Sequence, residues 1–122
     1  MLVLALIVAT LALLISLAYA QPKRLSEGDV ASSVLAGCKT YEEAILLILA
    51  LSKDGSASAM AFMQEDDNSC SLGMVTYRVG KIVGAPVLVE NKSWVILQIS
   101  SEDRKEEAFA IVPTVWLQLT EL

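Results

Sequence analysis

The chain has 122 residues, nine Lys/Arg against fourteen Asp/Glu for a net charge of −5, and no histidine; its length sets one domain as the ceiling. Without imidazole, Ser-His-Asp and Cys-His catalysis, His-based zinc sites and the usual near-neutral base are excluded. Two cysteines are too few for a four-thiolate site, no phosphate loop or dinucleotide fingerprint is present, and the acidic balance argues against nucleic acid as a partner.

Residues 1–20, MLVLALIVATLALLISLAYA, carry no charge, so the whole imbalance belongs to the remainder. The run is long enough to cross a hydrocarbon layer of about 30 Å as a helix. Two readings stay open. Ala18-Tyr19-Ala20 followed by Gln21-Pro22 fits a signal peptidase site, and hence a cleaved signal peptide. The lack of a basic segment before the run fits a retained membrane anchor instead, with the domain exported or, because the positive-inside rule would hold the Lys23-Arg24 end in the cytoplasm, internal. A stem packed among copies of itself is the third possibility.

Residues 21–28 read as a polar tether and 29–122 as a single small α+β domain. With Asp29 as N-cap and Gly37 as stop, the spacing of Val30, Val34 and Leu35 predicts a short helix. Thr40-Tyr41-Glu42-Glu43 forms a capping box, in which Thr40 takes the Glu43 amide and the Glu43 carboxylate reaches back to the start of the helix. That box opens a second helix over residues 44–51, closed by Ser52-Lys53-Asp54-Gly55, with a buried strand as the alternative because periodicity does not separate the two in so short a run. Everything beyond Gly55 reads as strands and turns: strands at 56–64, 72–79, 87–89, 94–99, 108–112 and 115–122. Gly80 and Gly84 suggest a bend or bulge, Asn91-Lys92-Ser93 a hairpin, and residues 101–107 a charged turn. The expected fold is α+β: an N-terminal hydrophobic (signal or transmembrane) helix, one or two short helices, then an antiparallel sheet of five to six strands.

Cys38 and Cys70, an even count beside an export-like segment, predict one disulfide with Cα atoms about 4.4–6.8 Å apart. Glu65, Asp66, Asp67 and Asn68 offer oxygen ligands, but without the alternating spacing of a calcium loop, and read as a solvated turn. Asn91-Lys92-Ser93 matches the N-glycosylation acceptor pattern in a turn. Trp94 and Trp116, in strands with polar neighbours, are the candidate interface residues. No residue is assigned a catalytic, cofactor-binding or metal role, and no cofactor is expected.

The expected function is a non-catalytic, exported or membrane-tethered protein-binding or assembly subunit. Its partner is another protein or itself, and a membrane where residues 1–20 are retained. The expected location is secreted, periplasmic or membrane-anchored with an extracytoplasmic domain. Two alternatives stand beside it: a filament or envelope subunit with residues 1–20 as packed stem, and a small carboxylate-dependent hydrolase or secreted enzyme inhibitor.

Overall fold

The computed structural model describes residues 24–118; the apolar segment 1–20, with its signal-or-anchor reading, lies outside them. The described chain opens on a strand, β1 (Val30–Cys38), where a short helix was expected. Val30, Val34 and Leu35 do sit at helical spacing, but the side chains alternate instead. Leu35 is buried, while Val30 and Val34 stand on the opposite, exposed face, opposite Arg78 and Met74 of the neighbouring strand.

One helix follows, α1 (Tyr41–Met63), with Thr40 as N-cap accepting from the Glu43 amide. The expected stop at Gly55 is only a kink (φ 78°, ψ −162°). Glycine adopts that conformation without a Cβ penalty, and the Ala- and Met-rich stretch beyond it resumes the helix rather than forming a strand. Asn68 ends it: its amide donates to the Phe62 carbonyl at 2.7 Å, and its side-chain oxygen accepts from the Cys70 N–H.

Three strands complete the fold: β2 (Ser71–Val89), β3 (Lys92–Ser100) and β4 (Glu107–Pro113). The order β1-β2-β3-β4 is antiparallel throughout and closes into a barrel by a short β1–β4 pairing, Ala36 with Ile111 through Cys38 with Phe109. Among the described residues the sheet therefore has four strands, not five to six. Two of the expected strands, 72–79 and 87–89, are one bent strand, with register shifts between Val79 and Ile82 and between Val83 and Val87. Gly80 and Gly84 lie at those shifts, as bulges require. The described part of the expected last strand, residues 115–118, is not one: after Pro113 the chain makes a 3-10 turn (Thr114–Trp116), and Leu117 forms a parallel bridge with Leu25.

The period-two alternation of β3 explains the core. Val95, Leu97 and Ile99 enter the barrel interior, where they meet Leu35, Tyr77 and Val112. Trp94 and Ile96 point the other way, onto α1, which buries Ala44, Leu47, Ile48 and Leu51 against them. The middles of β3 (residues 95–97) and β4 (residues 110–112) are thus covered on both faces, which is why three successive residues in each are apolar.

Among the described residues α1 is the one helix long and apolar enough to cross a membrane by length and composition. Lys53, Asp54 and the Gly55 kink occupy its centre, and one of its faces is buried on the sheet. Those features fit a domain helix.

Candidate functional site

The disulfide joins the end of β1 to the residue preceding β2, with Cys38 and Cys70 Cα atoms 4.0 Å apart, slightly closer than expected. It closes a loop that contains all of α1. A polar knot sits beside it. The Glu43 carboxylate accepts from the Ser69 N–H at 2.8 Å, from the Ser69 hydroxyl and from the Thr40 hydroxyl at 2.9 Å. The Ser69 hydroxyl in turn accepts from the Lys39 N–H at 2.9 Å. Those donors, Ser69 foremost, hold the Glu43 carboxyl below the ordinary glutamate range. The capping box therefore reaches forward to the next strand as well as back. The knot is structural: each polar atom in it is engaged with another part of the fold.

Trp94 and Trp116 pack on different cores. Trp94 is half-buried against the α1 side of the sheet, and Trp116 half-buried against the barrel interior, near Leu25. Each covers the rim of a core. Glu65, Asp66 and Asp67 lie in the turn after α1, and no group of three His, Cys, Asp or Glu among the described residues is placed to hold a metal. Asn91 stands exposed at the β2–β3 turn, with φ 68°.

The more distinctive surface is one the sequence reading did not single out. From Val30 to Leu35, β1 pairs only with β2, and residues 71–77 of β2 pair only with β1, because β3 ends at Ser100 opposite Arg78. This two-stranded ribbon continues the sheet beyond the part that α1 covers. On its outer face stand Val30 (47% exposed), Val34 (46%), Leu72 (50%) and Met74 (65%), with the Ser32 and Thr76 hydroxyls bonded between them at 2.7 Å. Arg78 anchors its base, donating to the carbonyls of Gly28 at 3.0 Å and Glu102 at 3.2 Å.

The free edge of the ribbon can be assigned residue by residue. The Val79 N–H donates to Asp29 and its carbonyl accepts from Gly28, so the backbone of Val79 faces the β1 side. Strand alternation then turns the N–H and C=O groups of Leu72, Met74 and Thr76 the other way. Among the described residues no strand meets them there. Natural sheets blunt such an edge with charge, proline or a bulge; residues 71–77, SLGMVTY, contain none of these. A signal for this surface was present: Leu72 and Met74 alternate with Val75, Tyr77 and Val79, so the strand is apolar at both parities while no further helix follows to cover it.

A separate concavity of about 520 Å³ opens beside the bridge between Leu25 and Leu117, with Lys81, Ile82 and Leu97 on its far wall. Ser26, Glu27 and Gln118 also line it. Comparisons with protein-family models, with curated proteins and with solved structures give no match.

Proposed function

We propose that this domain works by binding rather than by chemistry, as a protein-binding or assembly module of an exported, membrane-associated protein. One observation carries the reading: the uncharged β1–β2 ribbon, with an apolar outer face and an open edge. Contiguous exposed apolar surface of this kind marks an interaction site, and an unpaired strand edge adds backbone hydrogen bonding to the same partner. The disulfide supports an oxidising compartment outside the cytoplasm. The half-buried tryptophans support a secondary role, as rim residues whose first duty is to the core.

The test is the mass of the full chain isolated from its source without denaturation. A complex larger than the 13.1 kDa chain is expected, and Val34→Lys should dissociate it. Asp66→Asn with Asp67→Asn should leave it in place, because those carboxylates lie off the ribbon. A chain that is always a single copy alone, at every concentration, would overturn the reading.

A further inference from the structure

We infer that the ribbon's partner is a second copy of this chain, joined edge to edge through residues 71–75 of β2 about a two-fold axis near Gly73. The inference rests on the binding reading above and names its occupant. The edge is complementary to itself. In an antiparallel pairing centred on Gly73, Leu72 of one copy lies opposite Met74 of the other, and these are the residues whose N–H and C=O groups face outward. Each such pair exchanges both of its hydrogen bonds. Gly73 falls at the axis as the close, non-hydrogen-bonded pair; among the described residues a Cβ added there would meet nothing within 4 Å, so the face of the sheet at the axis is open.

Charge selects the same arrangement. Two copies each carrying −5 repel over most of their surface, but neither β1 nor residues 71–77 holds a charged side chain. The acidic turn Glu65-Asp66-Asp67 precedes β2, while Arg78 and Lys81 follow the edge. An antiparallel pairing turns the acidic end of one copy toward the basic end of the other. A closed two-fold uses this surface once per copy and leaves no edge to propagate. The outer-face side chains Leu72 and Met74 of both copies then lie side by side, next to Val34.

The experiment uses the full chain in a mild detergent, read by native mass spectrometry and by hydrogen exchange at several concentrations. A two-copy species is expected, with the Leu72 and Met74 amides exchanging at least about tenfold more slowly in it than in dilute monomer. Met74→Lys should raise its dissociation constant at least about tenfold while melting stays unchanged. Met74→Pro should do the same, since the lost N–H faces outward and serves no bond among the described residues. If the proline variant fails to fold, the lysine variant decides. Leu88→Lys, exposed but off the ribbon, should leave the dimer intact. Protection at Leu72 and Met74 that persists in the monomer would overturn the proposal, by showing that the chain covers its own edge. So would a dimer indifferent to Met74→Lys, which would place the association elsewhere, as in residues 1–20. A stable complex holding one copy of this chain and a different protein would overturn self-pairing while leaving the binding reading standing.

Discussion

Glu43 fastens the start of α1 to the segment entering β2, and does so as a carboxylate. Three donors converge on it, from Ser69 twice and from Thr40, and together they depress its pKa. A carboxyl whose folded pKa lies below its unfolded value contributes stability above the unfolded value, and that contribution is lost as pH falls through the folded one. Glu43→Gln should therefore be destabilising at neutral pH and nearly silent in acid, below both values, where the wild-type carboxyl is protonated too; equilibrium unfolding at both pH values checks this. Thr40→Ala removes the N-cap and should cost about 1 kcal/mol. The double substitution should fall short of the sum, because the two side chains share a hydrogen bond. The tryptophans make the opposite kind of contribution. Trp116 packs on the barrel interior, so Trp116→Ser should lower stability by about 2 kcal/mol. A melt unchanged by that substitution would return Trp116 to the surface role first expected of it.

At the scale of elements, two glycines with positive φ separate conformational cost from steric cost. Gly55 (φ 78°) has open space where a Cβ would stand, whereas a Cβ at Gly84 (φ 79°) would lie 2.6 Å from the Tyr41 hydroxyl. Gly55→Ala should cost about 1 kcal/mol, from the left-handed backbone alone. Gly84→Ala should cost more, and Tyr41→Phe should relieve part of the excess; chemical denaturation of the three variants measures it. The same glycines show what could be read from the residues. Gly80 and Gly84 were legible as bulges because a strand that must bend has few other devices. Gly55 misled, because a glycine after Lys-Asp is a common helix end, and only the packing of Ala59 and Phe62 on the core favours continuing past it. The strand β1 was misread for a related reason. Its outward positions Val30 and Val34 are apolar, so alternation was blurred and a helical spacing emerged by coincidence. The capping box, the β2–β3 hairpin and the cysteine pairing were legible because each depends on local chemistry or on simple counting. The ribbon was legible only in part: residues 72–79 are apolar at both parities, but which of their faces stays uncovered depends on the reach of α1.

For the molecule as a whole, the disulfide is the largest single restraint in the described residues. It spans a sequence separation of 32, for which the chain-entropy model gives about 3.5–4 kcal/mol. That is a substantial share of the net stability of a domain this size. Reduction, or Cys38→Ala with Cys70→Ala, should lower the unfolding free energy by that order. The slope of denaturant unfolding should rise as well, because the unfolded chain expands further without its cross-link. The closed barrel should keep its strand content in the reduced protein, since β3 with both its neighbours lies outside the cross-linked loop.

The parallel bridge between Leu25 and Leu117 has a mechanical meaning. Its two hydrogen bonds, Leu25 N–H to the Trp116 carbonyl at 2.9 Å and Gln118 N–H to the Leu25 carbonyl at 2.8 Å, join the first and last segments of the described residues. Tension applied at those two points runs along adjacent parallel segments in opposite directions, so both bonds are loaded in shear together instead of being unzipped in turn. Once they yield, the barrel can be drawn out from its ends, but the segment between Cys38 and Cys70 stays looped and bears no load. Stretching single molecules before and after reduction should reveal it as hidden length. At 3.3–3.6 Å per residue the reduced chain should extend roughly 110 Å further than the oxidised one, so the cross-link sets how far the domain can be drawn out under load.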